Sequence, residues 1–124
     1  MPPPLLTQAA PMTHVVDIAC TIAFYEQLGA KLGGTHRNPQ GQLVWASMMA
    51  GDSFFMFSLA SGPIIAEQQA VLFYLYSANL VALREQMVAR GIEVSPITHP
   101  FYMEKGEMRA QDPDGYVLLI GQTG

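Results

Sequence analysis

Apolar positions recur at helical spacing in two stretches of the chain. In the first, Ile18, Ile22, Tyr25 and Leu28 fall on one stripe, and Cys20, Phe24 and Leu28 on an overlapping one. Intervals of three and four residues are those of one helix face. Asp17 stands just ahead, where its carboxylate can accept the free N–H groups of a first turn, and Gly29 suits a helix end. The spacing predicts a helix over IACTIAFYEQL. In the second stretch Leu80, Leu83 and Met87 form the stripe, with Arg84, Glu85, Gln86 and Arg90 off it. Asn79 and Gly91 bracket a predicted helix over LVALREQMVAR.

Strand signals flank each helix in the same order. TQAAPMTHV precedes the first and AVLFYLYS the second. AKLGGTHR, LVWASMMA and SFFMFSL follow the first; IEVSPI, EMRAQ and YVLLIG follow the second. Gly51-Asp52 and Asp112-Pro113-Asp114-Gly115 are turn signals at matching places, and Gly33-Gly34 marks a bulge or bend. Asp17 to Asn79 is 62 positions, Gly29 to Gly91 is also 62, and the chain has 124 residues. The pattern predicts a duplicated α+β fold within a single domain over 1–124. A first βαβββ module covers about 5–60, a linker about 61–69 and a second βαβββ module about 70–122. One helix cannot cover both faces of its sheet. Packed together, the modules are expected to bury one face under the helices and curl the other around a cleft. The Pro-rich opening is expected to be mobile.

Composition narrows the function classes. The chain is 50% hydrophobic and only 13% charged, about half the usual globular share of charge. That excludes disorder and suggests a surface covered by a partner, most simply a second copy. The net charge is −4, with six Lys plus Arg scattered singly. They form no stripe that tracks phosphates, so no nucleic-acid partner is expected. Cys20 stands alone, which removes intrachain disulfides and cysteine-rich zinc sites. No apolar run reaches membrane-spanning length, and MPPPLLTQAAP lacks a basic n-region. A cytoplasmic protein without a membrane partner is the expectation.

Three segments carry a family resemblance: PMTHVVDIACTIAFYEQLGA at 11–30, FYLYSANLVALREQMVARGIEV at 73–94 and DPDGYVLLIG at 112–121. The spacing of Asp17, Thr21, Phe24, Tyr25, Leu28 and Gly29, followed much later by D-P-D-G-Y, resembles the vicinal-oxygen-chelate superfamily. That family includes glyoxalases, ring-cleaving dioxygenases, fosfomycin-resistance enzymes and bleomycin-resistance proteins. The resemblance spans nearly the whole chain. It implies paired βαβββ modules forming an incomplete barrel around a ligand cleft, commonly in a homodimer.

The resemblance also implies where a metal would be held. Metal-dependent members place a His seven residues before each helix-capping residue, a carboxylate four residues after the turn Gly, and a matching first-half ligand. Here those positions are Ala10, Leu72, Leu119 and, for the first half, Met56. None supplies the imidazole or hard oxygen that zinc, iron, manganese or magnesium requires. No metal or other cofactor is therefore expected. A displaced site using His14 with Glu104 or Glu107 is the competing reading; a His14 that simply closes a hydrogen bond is preferred. His36 and His99 adjoin Pro39 and Pro100 and read as loop positions.

No nucleophile–base pair is apparent. Cys20 reads as packed within its helix. Strand alternation places Met12, His14, Met56, Phe54, Leu72, Tyr74, Val117 and Leu119 on the cleft face, with Glu107 and Arg109 pointing one way on a common strand. Trp45, Met48, Met49, Tyr76 and Tyr102 are neighbours whose phase stays open. Among these, Met12, His14, Trp45, Phe54, Met56, Leu72, Tyr74, Tyr76, Tyr102, Glu107, Arg109 and Leu119 are the candidate ligand-binding residues. Such a wall of thioethers and aromatic rings suits a planar or amphipathic small molecule. The expectation is a metal-free homodimeric binding protein that sequesters its ligand without catalysis. The alternative is an enzyme: a metal-dependent lyase or dioxygenase with displaced ligands, or a metal-free isomerase using His14 or a glutamate as base.

Overall fold

The computed structural model describes Leu5 and residues 8–124. Residues 1–4, within the stretch read above as mobile, and 6–7 lie outside the described residues. The chain divides into two compact units, the first ending at Pro63 and the second beginning at Ile64.

The first unit runs β1 (Met12–Val15), α1 (Ile18–Gln27), β2 (Lys31–Arg37), β3 (Leu43–Ala50) and β4 (Ser53–Leu59). Its sheet has the order β1-β4-β3-β2, with β1 parallel to β4 and both other pairings antiparallel. Asp17 caps α1 as expected: its Oδ1 accepts from the Cys20 N–H at 3.0 Å. The buried residues of α1 are Ile18, Thr21 and Tyr25. Tyr25 stacks on Phe57 with ring centroids 5.3 Å apart and meets Phe55 edge-on at 5.2 Å. Val15, Ala46, Met48 and Phe57 complete this core. One expectation is corrected here and one open phase is resolved. Cys20 is exposed, because the stripe through Ile18, Thr21 and Tyr25 faces the sheet and turns Cys20 away from it. Met48 is fully buried under the helix, while its neighbour Met49 is exposed on the opposite face. Gly33-Gly34 does mark an irregularity, since the β2–β3 register shifts between Leu32 and Thr35.

The second unit opens with a single 3₁₀ turn, Ala66–Gln68, in the segment read as the linker. It continues as β5 (Leu72–Ser77), α2 (Leu80–Ala89), β6 (Glu107–Gln111) and β7 (Val117–Gln122). The sheet order is β5-β7-β6, with β5 parallel to β7 and β6 antiparallel to it. Asn79 caps α2 through the Ala82 N–H at 3.1 Å. Leu80 and Met87 on α2, with Met108, Leu118 and Ile120 on the strands, form the core. The strand expected over IEVSPI is absent. That segment and the Thr98 that follows it run along the edge of β6 but make only isolated bridges, Val94 to Ala110 and Thr98 to Glu107. Pro96 has no N–H to donate to a ladder, and the Ser95 Oγ takes up the Arg109 N–H at 2.8 Å instead.

The β6–β7 connection is the tightest local device. Asp112 Oδ1 accepts the N–H of Asp114 at 3.0 Å and of Tyr116 at 2.9 Å. Gly115 N–H donates to the Asp112 carbonyl at 3.0 Å. Gly115 sits at φ +86°, and a Cβ there would stand 2.4 Å from the Ala66 Cβ. Glycine is thus required twice over, by backbone conformation and by space. Gly115→Ala is expected to cost about 2–4 kcal/mol, the sum of a left-handed side chain and overpacking; chemical denaturation measures it.

Among the described residues, the buried Thr13 Oγ1 has no hydrogen-bond partner. Thr13 lies on β1 opposite the buried Phe57, on the face that α1 covers. Replacing the hydroxyl with a methyl removes an unpaid desolvation. Thr13→Val is expected to stabilise the fold by about 1 kcal/mol in the same assay.

Candidate functional site

Each helix covers one face of its sheet, so strand alternation decides what the other face presents. In the first unit the pairings Met12–Met56 and His14–Ser58, with Trp45–Ser58, Ser47–Met56 and Met49–Phe54, bring these side chains to the face away from α1. Met12 and Met49 are exposed, and Trp45, Phe54 and Met56 are half-buried. His14 Nδ1 lies 2.9 Å from Ser58 Oγ. Ser58 was not among the sequence candidates; its place opposite His14 follows only from the β1–β4 register.

In the second unit Leu72 pairs with Val117, Tyr74 with Leu119 and Tyr76 with Gly121. On the other side of β7, Glu107 pairs with Gly121 and Arg109 with Leu119. Leu72, Tyr74, Tyr76, Glu107, Arg109 and Leu119 therefore share the face away from α2. Tyr102 reaches it from the turn that precedes β6. The phases of Trp45, Tyr76 and Tyr102, open in the sequence, are settled by these pairings and contacts.

The most developed arrangement centres on Glu107. Its side chain is buried although β6 is an outer strand, with 7% exposure. Tyr74 donates its hydroxyl to Glu107 Oε2, and Tyr102 donates to Oε1 at 3.0 Å. Tyr74 stands on β5, two strands away, and has to cross β7 to reach the carboxylate. Gly121 on β7 permits the crossing. A Cβ at Gly121 would lie 3.2 Å from Tyr74 Cε1 and 2.8 Å from Met103 Cε, so any side chain would displace both. Gly121 and Met103 were missed in the sequence, where an isolated Gly near a strand end was the available signal. Tyr76 packs beside Tyr74, with ring centroids 5.3 Å apart.

Both phenols titrate above the ordinary tyrosine range. Burial is the first cause for Tyr74, followed by its hydrogen bond to Glu107. For Tyr102 the hydrogen bond to Glu107 comes first. In each case the carboxylate favours the protonated phenol and repels the phenolate.

The positions at which the family resemblance implies a metal lie as follows. Ala10 precedes β1, Met56 is opposite Met12 on the open face of the first sheet, and Leu72 and Leu119 share the open face of the second. Their side chains do not fit a metal, being a methyl group, two isobutyl groups and a thioether. Among the described residues no three His, Cys, Asp or Glu gather into a group that could hold one. His14 belongs to the first unit, and Glu104 and Glu107 to the second.

The family model for the Glyoxalase/Bleomycin resistance protein/Dioxygenase superfamily matches residues 11–120. The chain belongs to this superfamily. Solved structures share its fold. A bleomycin-binding protein complexed with bleomycin has a TM-score of 0.74 at 22% identity, covering 96% of this chain and 100% of the other. A bleomycin resistance determinant encoded on the transposon Tn5 has a TM-score of 0.75 at 22% identity, covering 95% and 98%. The fosfomycin resistance protein FosX from Listeria monocytogenes has a TM-score of 0.75 at 13% identity, covering 97% and 95%. FosX has also been solved with Mn(II) and a sulfate ion. No curated protein matches the sequence significantly. Among the described residues of this glyoxalase-superfamily chain, no helix is long and apolar enough to cross a membrane.

The tyrosine pair supplies a direct test of the geometry. In Glu107→Gln, followed by the ultraviolet absorbance of tyrosinate, Tyr102 ionisation is expected to fall back toward the ordinary range. Tyr74 ionisation should fall less, because burial remains. Tyr74→Phe and Tyr102→Phe assign the two steps. A raised phenol pKa contributes stability below the ordinary tyrosine range and loses it as pH rises through the folded value. The wild-type advantage over Tyr74→Phe should therefore hold at neutral pH and disappear at strongly alkaline pH.

Proposed function

We propose that this chain is a metal-free small-molecule-binding protein of the glyoxalase superfamily that sequesters an aromatic or amphipathic ligand on the open faces of its sheets. The observation that carries this reading is the chemistry of those faces. Met12, Trp45, Phe54 and Met56 stand on the first, and Leu72, Tyr74, Tyr76 and Leu119 on the second, each half-buried or exposed. Flat rings and flexible thioethers make an adaptable apolar surface, and a few polar tips orient what binds: His14 with Ser58 in one unit, Glu107 with its tyrosines in the other. The family's cation-holding positions are apolar here, so the reading assigns no Lewis-acid step and no covalent chemistry. The bleomycin-binding relative supports small-molecule binding on this fold. A second copy of the chain is the proposed protein partner, consistent with exposed Met12, Leu32, Met49, Val71 and Leu72 on a chain poor in charge.

A panel of planar aromatic compounds, scored by the melting temperature of the full chain, tests the reading. A ligand present at 100 times its Kd adds about 2.7 kcal/mol, a rise in Tm on the order of 10 °C for a domain of this size. Prior treatment with a chelator should leave both the Tm and the ligand-induced rise unchanged. Binding that vanishes with the chelator and returns with manganese or zinc would reject the metal-free reading.

A further inference from the structure

We propose that Glu107 is the anchor for a single protonated amine on the bound molecule, received among the rings of Tyr74, Tyr76 and Tyr102. This rests on the binding reading above and names the ligand's charged group. Glu107 is 7% exposed, and its hydrogen-bond partners are two neutral phenols. Each carboxylate oxygen accepts one phenol hydroxyl. Phenols satisfy lone pairs but do not cancel charge, and no Lys, Arg or His among the described residues forms an ion pair with it. A buried anion without a cation is costly to maintain, which is the condition under which a cationic donor gains most.

The surroundings favour an organic ammonium over a bare ion. A carboxylate offers about four lone-pair directions, and the phenols use two. Tyr76 is 65% and Tyr102 57% exposed, so their rings are available to a ligand, and the faces of such rings attract cations. Tyr102 is the partner able to give way. It stands on a turn closed by the Met103 N–H to Pro100 carbonyl bond at 2.9 Å, beside the exposed Phe101. A charged N–H donor makes a stronger bond to a carboxylate than a neutral hydroxyl does, so an ammonium can take its place on Oε1. Tyr74, crossing over Gly121, remains on Oε2. Arg109 lies two residues along on the same face and is exposed. Its charge disfavours a polycation, so one amine on an apolar aromatic body is the form that fits.

The test compares protonated naphthylmethylamine with neutral naphthylmethanol by calorimetric titration of the full chain at neutral pH. Wild type is expected to bind the amine about ten-fold or more tightly than the alcohol, the worth of one charge-assisted hydrogen bond. Glu107→Gln should remove that preference, so that the variant binds the amine no more tightly than it binds the alcohol. Tyr102→Phe should preserve the preference, since its hydroxyl is the group displaced. The wild-type comparison stands even if a variant fails to fold. Equal binding of both probes by wild type, or an unchanged preference in a folded Glu107→Gln, overturns this inference and leaves the binding reading intact. Failure of both probes and of every compound in the aromatic panel overturns the binding reading as well.

Discussion

One amphipathic helix can cover one face of one small sheet, and most of this molecule follows from that constraint. Tyr25 on α1 packs against Phe55 and Phe57, and Leu80 and Met87 on α2 are buried with Leu118 and Ile120. Strand side chains alternate, so every residue not committed to a helix-facing core stands on the opposite face. The bare faces carry apolar and aromatic side chains because they are the remaining half of strands rich in Met, Phe, Tyr and Leu. Binding on such a surface needs little added machinery beyond a few oriented polar groups.

The second unit shows how those polar groups are held. Glu107 leaves a turn ending at Gly106 and enters β6 with hydrogen bonds to Thr98 in both directions at 2.8 Å. Its backbone is therefore fixed on the outer side by a segment that never becomes a full strand. Its side chain is fixed by two tyrosines from different parts of the chain. The missing side chain at Gly121 lets Tyr74 reach across a strand. A polar group buried in this way is costly unless satisfied, and the two phenols satisfy it while adding ring surface next to the charge.

The two units solve the strand-edge problem differently. In the first, β2 forms a continuous outer strand with a shift at Gly33-Gly34, where a Gly33 Cβ would approach Ser47 Oγ to 2.6 Å. In the second, Pro96 breaks the equivalent ladder and the edge is reduced to two bridges. The two units are thus alike in their helices and different in their edges, since packing holds the former and local turn chemistry decides the latter.

Local chemistry made much of this fold legible from the residues alone. Caps at Asp17 and Asn79, the repeat spacing of 62, the turn through Asp112 to Gly115 and the alternation of the strands depend on neighbours within a few positions, and pattern reads such signals directly. It misplaced Cys20 because two overlapping apolar stripes ran along α1 and only the sheet could choose between them. It could not phase Met48 against Met49, because either would suit a buried strand. The pairing of His14 with Ser58, and the convergence of Tyr74 and Tyr102 on Glu107, were settled only by tertiary structure. Tyr102 and Glu107 are five residues apart, but the His14–Ser58 and Tyr74–Glu107 contacts join positions 44 and 33 residues apart through strand order and register, and neither quantity is encoded in any short stretch of chain.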